Sequence, residues 1–156
     1  ESQDTAKHQR CLFWALAVIA GIPVVLDEMR RTASCSVTQD AGMSAIIDIL
    51  GEHADAQGAG GEEDGIAPQQ VPAAIETLAG AMRLHRQNPQ VQWRGCLALG
   101  LLHGALPAGE KLPDEALNAV LAALRCHPEH HNVVGGICGA LRAFLEPRHG
   151  RADVAS

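Results

Sequence analysis

The chain has 156 residues, enough for one domain with a real core and too few for two comfortable ones. Apolar residues make up 47% of it but aromatics only 3%, with no tyrosine, so Ala and Leu must build the interior, which favours closely packed helices over strands. A net charge of −6 excludes a general basic field for nucleic acid, and five scattered cysteines without CxxC spacing (Cys11, Cys35, Cys96, Cys126, Cys138) exclude a disulfide framework and point to free thiols in a reducing intracellular compartment.

Taken in chain order, the sequence opens on Glu1 rather than Met, as expected of a processed or excised segment, and carries no targeting signal. Helices are predicted over 5–20 and 22–31. Between them, Cys11 to Leu26 runs without a charge, but Gly21-Ile22-Pro23 interrupts it with a turn and a helix start. A spanning helix takes about 20 apolar residues, so two short buried helices are the reading, and membrane contact is not expected. A third helix is predicted over 39–51. From 51 to 70 the pattern breaks: Gly58, Gly60, Gly61 and Gly65 mix with Glu52, Asp55, Glu62, Glu63 and Asp64, with no Lys or Arg, as in an inserted acidic loop.

The next helix, over 70–86, carries an apolar stripe of Val71, Ile75, Leu78 and Met82. Asn88-Pro89, a good N-cap followed by Pro at the first helical position, starts a helix over 90–104, and Gly21 and Gly104 fall where helix ends want left-handed backbone. Pro113-Asp114-Glu115 starts a helix over 114–126 with the stripe Leu117, Val120, Leu121 and Leu124. The last helix, over 131–145, lines one face with Val134, Ile137, Cys138, Leu141 and Leu145. The expected domain is thus 5–145, with the loop insertion at 51–70 and a tail over 146–156.

An internal repeat organises these elements. At a constant offset of 42 residues, Arg83 meets Arg125, His85 meets His127, Val91 meets Val133, Cys96 meets Cys138 and Leu99 meets Leu141, without a gap across two helices. Upstream, Ile22 to Arg30 resembles Ile75 to Arg83, and Met43 to Leu50 takes the place of Cys96 to His103. Phe13 to Ala20 looks like the second helix of a further repeat, with Phe13 at the position of Cys138, which makes about three and a half repeats.

A tandem helix pair of this period resembles the armadillo and HEAT repeat families, and Phe13-Trp14-Ala15-Leu16-Ala17-Val18-Ile19-Ala20 is similar to the W-A-L-x-N-I-A signature of an armadillo third helix. Cys96-Leu97-Ala98-Leu99 and Cys138-Gly139-Ala140-Leu141 echo it. The resemblance covers Phe13 to Leu145 and implies an all-α, right-handed α-solenoid whose concave face binds a partner protein. The Asn with which nuclear-import armadillo proteins clamp a peptide backbone is replaced by Val18, Leu101 and Ala143, so that mode of recognition does not carry over.

The sharpest chemical cluster is Cys126, His127, His130 and His131 with Cys138 one helix on, and it supports an alternative reading as a small metal-binding or hydrolytic domain. Against it, His127 is equivalent to His85 and Cys138 to Cys96 and Phe13, so repetition accounts for both as architecture. No GxSxG, HExxH or P-loop lysine is present, and no enzyme activity or cofactor is expected. The expected function is a non-catalytic protein-interaction scaffold within a larger assembly. The residues singled out for partner contact are Phe13 and Trp14, Trp93, and the arginines Arg30, Arg83 and Arg125 that recur at one place in three repeats, where they also compensate helix C-termini. Cys96 and Cys138 are both expected to be buried thiols.

Overall fold

The computed structural model describes residues 2–55, 66–107 and 109–147, and among them it holds helices and no strand. Seven α-helices follow one another: α1 (Ser2–Ala20), α2 (Ile22–Arg31), α3 (Ser36–Asp55), α4 (Val71–Leu84), α5 (Pro89–Ala105), α6 (Asp114–Cys126) and α7 (His131–Leu145), with a single 3₁₀ turn, Pro68–Gln70, before α4.

Local chemistry sets the boundaries. Gly21 stands between α1 and α2 with φ of 84°, a backbone that L side chains rarely adopt, and Pro23 follows in the first turn of α2. The uncharged run from Cys11 to Leu26 is therefore split, and no helix among the described residues is long and apolar enough to cross a membrane. The side chain of Asn88 caps α5, its Oδ1 accepting from the backbone N–H groups of Gln90 (3.0 Å) and Val91 (3.2 Å). Asp114 and Glu115 occupy the first turn of α6, where the helix dipole favours them.

The helices pack in two rows. The odd helices lie side by side in chain order, α1 on α3, α3 on α5 and α5 on α7, and the even helices likewise, α2 on α4 and α4 on α6. Each even helix also packs on the odd helix after it. The core lies between the rows: Ile22, Val25, Met29, Met43, Ile46, Ile75, Leu78, Met82, Val91, Leu99, Leu102, Val120 and Ile137 are all at most 2% exposed. Each large aliphatic side chain so buried stabilises the fold by about 1.5–3 kcal/mol. Glycine sets the distance within two of the pairs. A Cβ at Gly42 would lie 2.5 Å from Met29 Sδ, and one at Gly95 would lie 2.5 Å from Met82 Sδ, so each methionine fills the notch of the facing glycine.

Several expectations need correction. Helix α3 is longer than 39–51: residues 51–55 belong to it, and Ile66 is buried, so the stretch 51–70 is not one excursion. Its centre, 56–65, lies outside the described residues, as do residues 148–156 of the tail. Gly104 is inside α5 rather than past its end, with no left-handed backbone. The stripes of α6 and α7 are only half covered: Val120 and Ile137 are buried, but Leu117 (41%), Leu124 (38%) and Leu145 (84%) are exposed, and so is Cys138. The reason is positional. The face of α7 that bears Cys138 corresponds to the face of α5 that α7 covers, and Ile137 stands where Gly95 gives room to Met82, leaving Leu124 no notch.

Candidate interaction surfaces

Sequence-equivalent side chains make the same hydrogen bonds in successive helix pairs. Gln39, 1% exposed on α3, donates its Nε2 to the carbonyls of Met29 (2.9 Å) and Thr32 (3.0 Å) at the end of α2. Gln92, 1% exposed on α5, donates its Nε2 to the carbonyls of Met82 (2.9 Å) and His85 (3.0 Å) at the end of α4. Each supplies a donor to a carbonyl in the last turn of the helix, that of Met29 or Met82, and adds a second donor to the carbonyl of Thr32 or His85, which already accepts from the backbone N–H of Cys35 or Asn88. A second device ties each pair to the one before: His85 Nε2 lies 2.6 Å from the carbonyl oxygen of Ala33, and His127 Nε2 lies 2.9 Å from that of Arg86. The glutamines were missed in the sequence, although their equivalent places in two repeats were visible there.

The exposed side of the odd row is crossed by lines of equivalent positions. Trp14, Ser44, Leu97 and Gly139 form one line, and Val18, Asp48, Leu101 and Ala143 form the next. Trp14 (46%) and Val18 (54%) are exposed at the α1 end, while Leu97 and Leu101 are half-buried. Asp48 is the one acid on these two lines. Its pKa is raised, chiefly because burial penalises the carboxylate and further by the charge of Glu52, against an opposing pull from Arg94. Towards the helix N-termini, Arg94 of α5 donates to Asp40 of α3, and Arg10 of α1 lies 3.8 Å from the same carboxylate. These side chains border an open cleft of about 650 Å³ with Lys7 and Gln90.

The singled-out residues fall in different places. Trp14 is on the surface, whereas Phe13 is 3% exposed and belongs to the core against α3, so it offers no contact area to a partner. Trp93 is half-buried, with the Arg94 guanidinium 4.8 Å from its ring centroid and its backbone against Gly136. Arg30, Arg83 and Arg125 are all exposed on the even row. Arg30 is engaged within the chain, donating to Asp27 Oδ1 (2.7 Å) and, across α2 and α4, to Thr77 Oγ1 (3.1 Å).

The Cys/His cluster does not converge. His127 ends α6 and is turned to the Arg86 carbonyl, His130 precedes α7 and stacks beside His131 at 6.0 Å between ring centroids, and Cys138 is on the exposed side of α7. Among the described residues no group of three or more His, Cys, Asp or Glu is placed to hold a metal ion. Cys96 is fully buried, and burial pushes its thiol up to about 12.

No protein-family model matches the chain, and comparison with curated proteins and with solved structures returns no match.

Proposed function

We propose that the chain is a right-handed α-solenoid of about three and a half armadillo/HEAT-like helical repeats and that it acts as a non-catalytic protein-interaction scaffold within a larger assembly. The observation that carries this reading is the recurrence of the glutamine and histidine hydrogen bonds at equivalent positions of successive helix pairs. Stacked pairs that each contact only their neighbours are the arrangement by which such proteins build an extended binding surface. The surface assigned to the partner is the exposed side of the odd row, on the two lines that hold Trp14, Leu97, Val18 and Asp48. It is mixed in character, with an exposed Trp able to anchor a contact and an acid to orient it.

The test uses the chain as bait, identifies captured protein by mass spectrometry, and then measures binding with the purified partner. Trp14→Ala and Asp48→Arg change exposed side chains, and circular dichroism checks that each variant stays helical. Each is expected to weaken binding by at least about tenfold. Unchanged affinity in both variants would exclude this surface.

A further inference from the structure

We propose that copies of this chain associate head to tail, with the exposed side of α7 in one copy receiving the exposed side of α1 in the next, as α5 receives α7 within the chain. The inference rests on the repeat reading above and deepens it by naming a partner: a second copy.

The two ends of the odd row present opposite sides of one stacking pattern. On α1, Phe13 and Ala17 face α3, and the other side bears His8, Cys11, Val18 and Ile19, all exposed. On α7, Gly136, Ile137 and Ala140 are covered, and the other side bears Gly135, Cys138, Gly139, Arg142 and Leu145, all exposed. The α5–α7 contact supplies a template for joining them, because α7 repeats α5 and α1 repeats α7.

Three pairs in that template translate directly. First, a Cβ at Gly136 would lie 3.4 Å from the Cβ of Cys96. Cys138 is equivalent to Cys96, and Cys11 to Gly136, so the joint puts two exposed free thiols opposite each other. Their Cβ separation falls close to the roughly 3.5–4.5 Å of a disulfide. Second, the rings of His103 and Phe144 meet at 5.3 Å between centroids. Their equivalents are Leu145 and Ile19, the two most exposed large hydrophobic residues described, at 84% and 85%. Third, Leu97 packs over Gly139. In the joint the bulk changes sides, Gly139 facing Trp14.

Arg142 stands where Gly100 allows the close approach of Ala140, but its side chain is turned along α7 to Glu146, which accepts from its Nε at 2.8 Å. The joint is built on the odd row, where α5 and α7 make an extensive helix contact. Because its two surfaces differ, the contact does not close at a dimer.

The native cysteines provide the test. In a Cys35→Ser, Cys126→Ser background, which leaves Cys11 and Cys138 beside the buried Cys96, the chain at high micromolar concentration is treated with diamide. Diamide takes up the two electrons and two protons released when two thiols join. A ladder of disulfide-linked dimers, trimers and longer species is expected on a non-reducing gel. Cys11→Ser and Cys138→Ser should each lose the ladder, and an equal mixture of the two should give a dimer band only, since each then offers one half of the joint. Ile19→Glu and Leu145→Glu, at fully accessible positions, should each abolish the ladder with both cysteines present. A dimer that survives in Cys138→Ser alone would mean α1 pairing with α1 and would overturn the proposal. So would a wild-type chain that stays monomeric and uncrosslinked. If that chain is fully helical by circular dichroism, the scaffold reading stands while the joint falls.

Discussion

Arg94 on α5 donates to the carboxylate of Asp40 on α3, and both side chains are largely enclosed, at 15% and 14% exposure. With Arg10 at 3.8 Å on the far side, one acid holds charges from three consecutive odd helices. Removing Asp40 would strand a largely buried guanidinium, and breaking such a pair is far costlier than breaking a surface one. Asp40→Ala is expected to lower unfolding free energy by about 2–3 kcal/mol. Asp27→Ala, which removes an exposed partner of Arg30, should cost less than about 1 kcal/mol. Urea denaturation of both variants checks this, and equal effects would exclude the three-helix role of Asp40.

Two glycines of α5 should respond to the same substitution with opposite signs. At Gly95 the added methyl would meet Met82 Cγ and Sδ at 2.5 Å, so Gly95→Ala is expected to destabilise by about 1–3 kcal/mol. Gly104 lies inside the helix with nothing within 4 Å of a Cβ, and Gly104→Ala should stabilise by about 0.5–1 kcal/mol by restricting the unfolded chain. Thermal melts that shift in the same direction for both would contradict the assigned helix span or the methionine notch.

Much of this was legible beforehand, and the exceptions have physical causes. The 42-residue offset, with its weaker copies upstream, placed the described helices close to where they lie because each unit carries apolar residues at helical spacing. What periodicity could not convey is which helix has a neighbour. Cys96 and Cys138 occupy equivalent places, yet one is fully buried and the other exposed, because among the described residues α5 has a further odd helix packed on that side and α7 has none. The Asp40–Arg94 contact joins residues 54 apart in sequence, outside any local motif. Phe13 resembled part of an exposed aromatic pair with Trp14, but adjacent helical residues point about 100° apart, and only one of them can face α3.

Helix α7 lacks the cap that α5 enjoys. His130 stands at the place of Asn88 but makes no capping hydrogen bond, and its Nδ1 is buried without a partner. His130→Asn should restore the cap and stabilise the chain by about 1 kcal/mol. Hydrogen exchange at the first amides of α7 should slow in parallel. A variant no more stable than wild type would show that the ring fills space an asparagine cannot.

The cysteines should separate by reactivity. Cys35 is exposed, and hydrogen bonds from the Thr38 backbone and hydroxyl outweigh burial and lower its thiol pKa. Thiolate is the reactive form, so Cys35 should label first and keep reacting as pH falls below the range in which an ordinary thiol still does. Cys96, raised to about 12 and enclosed, should stay unlabelled until the chain unfolds. Peptide mapping after brief alkylation at several pH values would read both, and early modification of Cys96 would contradict its burial.

The histidine contacts also bear on how the stack deforms. Both run from the end of an even helix to the turn of the preceding pair, His85 to Ala33 and His127 to Arg86, so they lie along one rim. Any strain that draws successive pairs apart at that rim must break a directional bond before side chains can slide, so the seam resists separation there first.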